Sequence, residues 1–243
     1  MSARKYDSFK DLRKGKYDWK VAGRVMNLWR GYTRTKEPFK SFNLLLVDGK
    51  RARIHGFVAG KDVDQLEPIL EIGRVYLFEN FTVKEYRPED IFRPLRKDIQ
   101  IVLDSQTKIT ALEEKMVNIE KYVFDLFDLA DLDSQASQNR YLTDVIGVME
   151  KPKPLARIPN KHGAIQQQIK FKITDRSNTI KVTFWDDFAK YFDDVLKQEI
   201  DYPIIIIIGC ARVKKWSGIL RYKCLNLDAC LYDSFNHDSS IFL

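Results

Sequence analysis

The chain has 243 residues, 44% of them hydrophobic and 12% aromatic, which is enough apolar side chain to build buried cores and to exclude wholesale disorder. The longest apolar run, 204–211, is far shorter than the roughly 20 residues of a membrane-spanning helix, and residues 1–20 lack the apolar stretch of a secretory signal. We therefore expect a protein of the cell interior with no membrane partner. Three cysteines without a Cys-x-x-Cys pair argue against a disulfide framework and against a zinc ribbon.

The net charge of +7 is unevenly distributed. Residues 1–110 carry 23 Lys and Arg against 15 Asp and Glu, residues 111–139 carry 2 against 7, and residues 140–243 carry 16 against 12. Two basic blocks thus flank an acidic connector. Basic blocks favour polyanionic partners, although charge alone does not identify one.

In chain order, alternating and β-branched patterns predict five strands and one helical patch in the first block. The second and third strands are separated by Asp48-Gly49, a strong hairpin signal. The helical patch contains Leu66, Ile69 and Leu70 and is expected to end at Gly73. The predicted strands cover 19–29, 41–47, 50–58, 74–86 and 97–105.

The same order recurs about 125 to 130 residues later. After the third strand a helix is expected over 186–196, with Asp186 or Asp187 as N-cap. Its predicted buried face consists of Phe188, Tyr191, Phe192 and Val195. The predicted strands cover 141–150, 167–175, 179–185, 203–215 and 219–227.

Five strands with a helix between the third and fourth are typical of the OB-fold, a five-stranded Greek-key barrel, and the repetition strengthens the assignment. The predicted fold class is all-β with short helices, as two tandem OB-folds joined by an acidic linker. The predicted segments are a first OB-fold at 1–109, the linker at 110–139, a second OB-fold at 140–232 and a C-terminal tail at 233–243. Within the linker, Thr110-Ala-Leu-Glu113 favours a helix through Val123, whereas 124–129 suits an extended arm equally well, so its structure stays open.

One aromatic residue lies on the polar face of the third strand in each repeat. Ala52, Ile54, Gly56 and Val58 are expected to fill the first barrel, and Ile180, Val182 and Phe184 the second. The opposite faces then carry Arg51, Arg53, His55 and Phe57 in the first repeat, and Lys181 and Trp185 in the second. Rings beside cations suit single-stranded nucleic acid, whose bases stack on the rings while its phosphates contact Lys and Arg. The alternative is that the neighbouring helix or the connector covers Phe57 or Trp185.

Loops that border the ligand groove of OB-folds add further candidates. Trp216 is surrounded by basic residues, and its counterpart in the first repeat is Tyr86 or Phe92. The basic loop residues are Arg30, Arg34, Lys151, Lys153, Arg212, Lys214, Lys215 and Arg221.

Several motifs in order make the chain similar to the large subunit of replication protein A across its two central single-stranded-DNA-binding OB domains. In the second repeat these are 144–148, 182–185 and 209–213 leading to Trp216, and in the first they include 46–48, 53–57 and 75–84. The resemblance implies base stacking on Phe57, Phe92, Trp185 and Trp216. It also implies basic contacts from Arg53, Lys84 and Arg212.

The resemblance further implies largely sequence-independent binding of single-stranded DNA in replication, repair and recombination, in the nucleus. Expected partners include other replication protein A-like subunits or repair and replication proteins. The family's zinc-containing third OB domain and its N-terminal interaction domain have no counterpart here, so we expect part of a longer chain or a shortened paralogue, plant-type or transposon-linked. The loop 87–94, with two prolines and two acids, departs from the family pattern.

No catalytic constellation is found: phosphate-loop, H-E-x-x-H and G-x-S-x-G motifs are missing from the sequence. We predict neither an enzyme nor a cofactor or metal. The alternatives are an OB-fold scaffold for protein interactions and a telomere-end single-strand binder. The choice between DNA and RNA stays open.

Overall fold

The computed structural model describes residues 6–32, 37–88, 90, 93–138, 140–150, 152–159, 163–198, 203–216, 219–223 and 231–232. The chain forms two compact units, Met1–Val123 and Phe124–Leu243. Within the described ranges no helix is long and apolar enough to cross a bilayer.

The first unit is a curled sheet. Its strands are β1 (Lys20–Tyr32), β2 (Pro38–Asp48), β3 (Arg53–Val58), β4 (Val75–Glu79), β5 (Thr82–Glu85), β6 (Ile99–Leu103) and β7 (Lys108–Leu112). They are ordered β5-β6-β3-β2-β1-β4-β7, with β3 and β6 parallel. β4 pairs with β1, β5 pairs with β6, and only Asn80 and Phe81 separate β4 from β5. The continuous segment of β4 and β5 therefore closes the sheet into a barrel.

A short helix follows β3 in the first unit. The helix α1 (Val63–Leu66) continues as a 3₁₀ turn over Glu67–Ile69. Leu66 and Leu70 are buried in the barrel, as expected, whereas Ile69 is exposed. The predicted helical patch is therefore real but only about two turns long.

The second unit is also a closed barrel. Before it lies α2 (Leu132–Gln138), and its other elements are β8 (Thr143–Glu150), β9 (Ala156–Pro159), β10 (Ile165–Thr174), β11 (Thr179–Trp185), α3 (Asp186–Leu196), β12 (Ile205–Trp216), β13 (Ile219–Lys223) and β14 (Leu231–Tyr232). Hydrogen bonding connects β8, β10, β11, β13 and β12 in a ring that returns to β8, with β11 and β13 parallel. In the sequence, α3 lies between β11 and β12, which are the third and fourth strands of the ring in chain order. The predicted all-β, OB-type architecture with short helices is confirmed.

The helix α3 has the predicted bounds but differs in detail. Ala189, Phe192 and Val195 are buried, whereas the ring of Tyr191 is exposed. Trp185 occupies the N-cap position, and Asp186 adopts a left-handed φ of 52°. The predicted aspartate N-cap is wrong because the Asp186 carboxylate instead accepts the backbone N–H of Gln167 in β10 at 3.3 Å.

The β2–β3 hairpin is present, but its turn is longer than an Asp-Gly turn. One carboxylate oxygen of Asp48 accepts the backbone N–H groups of Lys50 at 2.9 Å and Ala52 at 2.8 Å. Arg51 takes the left-handed position, with a φ of 60°. Arg51 thus lies in the turn, and the prediction that it belongs to the outer face of the third strand is wrong.

The segment predicted as a linker contains the boundary between the units. Its first residues form β7, which pairs with β4, and this excludes a helix beginning at Thr110. The Arg24 guanidinium then holds the following segment by donating to the Ile119 carbonyl at 2.8 Å and to Glu114. In the second unit, Asp144 accepts the backbone N–H of Asp125 at 3.0 Å. The first part of the segment is therefore hydrogen-bonded to the barrel of the first unit, and its later part to the barrel of the second unit.

Candidate nucleic-acid interface

In the first unit, three side chains form a row across the outer face of the barrel. Backbone register places Trp29 of β1 opposite Asn43 of β2, and Asn43 opposite Phe57 of β3. All three are half-buried, while Ile54 and Val58 point into the core. The predicted faces of Ile54, Val58 and Phe57 are therefore confirmed. Whether Phe57 contacts a base remains a prediction.

His55 departs from the expectation of a groove-exposed polar residue, because it is buried with 6% of its surface exposed. The Tyr86 hydroxyl lies 2.8 Å from Nδ1, and the Asn43 side-chain oxygen lies 3.0 Å from Nε2. Burial lowers the pKa of His55 to about 3. The negative charge of the Asp90 carboxylate has the opposite, smaller effect on this pKa. His55 is therefore a neutral residue that organises its neighbours.

The hydrogen bonds around His55 form a chain in which each group donates to the next, from the Tyr86 hydroxyl to the Trp29 carbonyl. Nδ2 of Asn43 donates to the Trp29 carbonyl at 3.4 Å, which turns Oδ1 of Asn43 toward His55. Nε2 of His55 must then donate to Asn43, so Nδ1 is left to accept the Tyr86 hydroxyl. A neutral imidazole satisfies both contacts at once.

The predicted basic residues of the first unit fall into different settings. Arg30 donates to the Lys40 carbonyl at 2.6 Å and pairs with Glu67, and Arg51 pairs with Glu120. These contacts give Arg30 and Arg51 structural roles, which the charge pattern of the sequence did not reveal. Arg53 is half-buried on β3, and Lys84 is exposed on β5.

In the second unit, cations surround the end of β11. Register pairs Lys172 with Lys181, Lys170 with Thr183, and Gln168 with Trp185. The three lysines are exposed, and Trp185 is half-buried. We call Lys170, Lys172, Lys181 and Trp185 the basic face. One of its charges is partly compensated, since Lys172 pairs with Glu150 at 3.0 Å.

Further basic residues lie next to the basic face. Lys153 is exposed, and its backbone N–H donates to the Lys170 carbonyl at 2.8 Å, which places the predicted basic loop beside β10. Lys214 is exposed on β12, and half-buried Arg212 has its pKa lowered by burial. Register places Arg221 between Lys181 and Lys214.

Several predicted positions remain untested. The backbone places Trp216 at the end of β12 and Lys215 beside it, opposite Ile219 and Leu220 of β13. Phe92, Arg34 and Lys151 lie outside the described residues.

Sequence reasoning missed Trp29, because alternation from buried Val21 and Val25 would place it in the core. A register shift between Val25 and Asn27 reverses the alternation, so that Leu28 packs against the core instead. Sequence reasoning also missed β9, which pairs with the start of β10 and carries exposed Arg157.

Comparisons with known proteins agree with this architecture. Residues 129–224 match the family model described as replication protein A OB domain. The 70 kDa DNA-binding subunits E and A of replication protein A from Arabidopsis thaliana are 24% identical over 205 residues and 27% identical over 207 residues. Each alignment covers 82% of this chain but only 26% and 31% of the relative, so the chain spans less than a third of their length.

A solved structure shares the fold. A chain from the structure of a replication protein A heterotrimer bound to ssDNA matches with a TM-score of 0.58 at 20% identity, covering 90% of this chain and 49% of that one. Residues 129–224 are therefore similar to the replication protein A OB domain, and the chain as a whole resembles the 70 kDa DNA-binding subunits of replication protein A.

Proposed function

We propose that this chain binds single-stranded DNA with both of its units, without catalysis. The observation that carries the proposal is the basic face, where exposed Lys170, Lys172 and Lys181 lie in adjacent rows beside half-buried Trp185. A single strand offers phosphates to the cations and unpaired bases to the ring, whereas a duplex hides its bases. The names of the relatives, as DNA-binding subunits, support the same substrate.

In the proposed mechanism, bases stack on Phe57 in the first unit and on Trp185 and Trp216 in the second. Phosphates contact Lys84 and Arg53 in the first unit. In the second unit they contact Lys153, Lys181, Arg212, Lys214, Lys215 and Arg221. Stacking accepts every base, so sequence preference should be weak.

Two linked binding units gain affinity because binding by one raises the effective concentration of the other near the strand. At four or more nucleotides per OB-fold, the chain should occupy on the order of 8 to 10 nucleotides. A role in replication, repair or recombination in the nucleus, and assembly with other replication protein A-like subunits, belong to the same proposal.

The second candidate is a protein-interaction scaffold, which is favoured by the apolar outer face of the second barrel. Ile146, Val148 and Ile205 are exposed there, and Val148 lies opposite Ile205. This face belongs to β8 and β12, whereas the basic face belongs to β10 and β11. Both activities can therefore exist in one chain.

Fluorescence anisotropy tests the proposal with one labelled sequence prepared as single-stranded DNA, as duplex DNA and as RNA, each at two salt concentrations. The proposal predicts tight, salt-sensitive binding to single-stranded DNA and weak binding to the duplex. The RNA arm decides the substrate class. Absence of single-strand binding at low salt would overturn the proposal and favour the scaffold.

A further inference from the structure

We infer that Trp29 is a base-stacking residue of the first unit and supplies the second aromatic platform of its groove. The inference rests on the proposed function, since it assumes that the first unit binds single-stranded DNA. Its starting point is the row Trp29, Asn43 and Phe57, in which two aromatic residues flank one amide on the outer face of the barrel.

Trp29 is the outer end of an ordered stack. Its ring lies 5.6 Å from the His55 ring with 17° between the planes, and the His55 ring lies 5.6 Å from that of Tyr86 with 9° between the planes. At the opposite end, the Arg93 guanidinium lies 4.7 Å from the centre of the Tyr86 ring. A cation therefore closes one end of the stack, and half-buried Trp29 forms the other.

Tyr86, one of the two positions considered from the sequence for this role, is poorly placed to receive a base. Only 8% of its surface is exposed, and its ring contacts both the His55 ring and the Arg93 guanidinium. Little of the Tyr86 ring is therefore open to a base. Trp29, by contrast, is half-buried and keeps part of its surface exposed.

Before any ligand arrives, hydrogen bonds hold the His55 imidazole, on which the Trp29 ring stacks. The Tyr86 hydroxyl, His55 and the Asn43 amide form a directed chain that ends at the Trp29 carbonyl. A ring that is already ordered loses little conformational entropy when a base stacks on it. Strand spacing of about 4.8 Å places Trp29 and Phe57 roughly 10 Å apart along the row, enough for bases to lie between or beside them.

The binding test uses the full chain and an oligothymidylate of about 20 nucleotides, longer than two OB-folds need at the low end of their site sizes. Trp29→Leu keeps an apolar cover over His55 but removes the aromatic face, and it should weaken binding by about 5- to 150-fold. Trp29→Phe should retain affinity within about 5-fold, because a phenyl ring still stacks. The matched control is Tyr17→Leu, an exposed aromatic of the same unit outside the row, which should leave affinity unchanged.

Fluorescence supplies a readout that a purely structural role would not move. A Trp185→Phe, Trp216→Phe background keeps Trp29 and Trp19, and Trp19 is 2% exposed with the Lys16 ammonium 3.9 Å above its ring. Oligothymidylate should quench the emission of this background, and adding Trp29→Phe should abolish the quenching.

Binding by the wild type together with unquenched Trp29 emission would overturn this inference and leave the proposed function standing. Failure of the wild type to bind would overturn both. If Trp29→Leu unfolds the first unit, as seen by circular dichroism, the quenching experiment decides alone.

Discussion

The Tyr86 hydroxyl and Nδ1 of His55 lie 2.8 Å apart in the interior of the first unit, although 31 residues separate them in the chain. Nε2 of the same imidazole contacts Asn43 at 3.0 Å. Burial is the main cause that lowers the pKa of His55 from 6.5 to about 3. The row Trp29, Asn43 and Phe57 on the outer face of this unit is thus supported by a histidine that stays neutral at every physiological pH.

The stability of the first unit should therefore fall in acid. The unfolded chain takes up a proton near pH 6.5 and the folded chain only near pH 3, so this contribution is complete above pH 6.5 and is lost as pH falls toward 3. Between pH 7 and pH 5 the loss from His55 should be about 2 kcal/mol. His55→Phe should be less stable at pH 7 but should show a correspondingly smaller change between the two pH values.

Guanidinium unfolding at pH 7, 6 and 5 measures this, with Trp19 and Trp29 as reporters in the Trp185→Phe, Trp216→Phe background. Equal pH dependence in the wild type and in His55→Phe would show that this histidine does not titrate as described.

Removal of the ring at Trp185 should weaken binding and leave the second unit folded. We expect Trp185→Leu to cost about 1–3 kcal/mol of binding free energy for oligothymidylate, the range for one lost stacking contact. The helix α3 should persist, since the Trp185 side chain does not cap the helix backbone. Tyr191→Leu is the control, because Tyr191 is an exposed aromatic of the same unit on α3. Equal losses from both substitutions, measured by anisotropy, would contradict the assignment.

Removal of the Lys181 charge should make the affinity for single-stranded DNA less dependent on salt concentration. If Lys181 neutralises one phosphate, Lys181→Ala should reduce the slope of log affinity against log salt by about 0.7. Lys197 is a matched exposed lysine, and it pairs on α3 with Asp193 at 2.8 Å and Asp194 at 3.0 Å. Anisotropy titrations at several salt concentrations should show an unchanged slope for Lys197→Ala. An unchanged slope for Lys181→Ala would exclude it from the interface.

Arg24 should be essential for the stability of the first unit. Its side chain is 6% exposed, and its guanidinium donates to the carbonyls of Gly73 at 2.6 Å and Ile119 at 2.8 Å. Arg24→Leu leaves these acceptors without their donor and should cost about 2–4 kcal/mol of unfolding free energy. Arg74→Leu, which removes an exposed arginine of the same unit, should cost less than about 0.5 kcal/mol. Similar denaturation midpoints for the two variants would contradict this role.

Strands and the helix α3 were predictable because their hydrophobic side chains recur at the spacing of a strand or of a helix. In β10, buried Ile169, Phe171 and Ile173 alternate with more exposed neighbours, and β11 and α3 have the predicted bounds. Such patterns are local, so the residues of one element suffice to identify it.

The remaining features depend on contacts between distant segments. The strand β7 carries Thr110 in a sequence typical of a helix start, yet pairing with β4 decides its conformation. The extra residue in β1 reverses the alternation before Trp29, and no local pattern marks it. Burial of His55 requires Trp29 and Tyr86, which lie 26 residues before it and 31 after it in the sequence. The third strands and the faces of Phe57 and Trp185 were therefore predictable, but the internal support of the proposed site was not.

The affinity of the wild-type chain for oligothymidylates of increasing length, from about 4 to about 20 nucleotides, tests most directly whether both units bind one single strand. Binding by two linked units predicts weak affinity for the shortest oligonucleotide, a steep rise in affinity as the length passes roughly 8 to 10 nucleotides, and little further gain beyond. In Trp185→Ala, Trp216→Ala the steep rise should disappear. Affinity that is independent of length, or equal for a duplex of the same sequence, would contradict single-strand binding by two linked units.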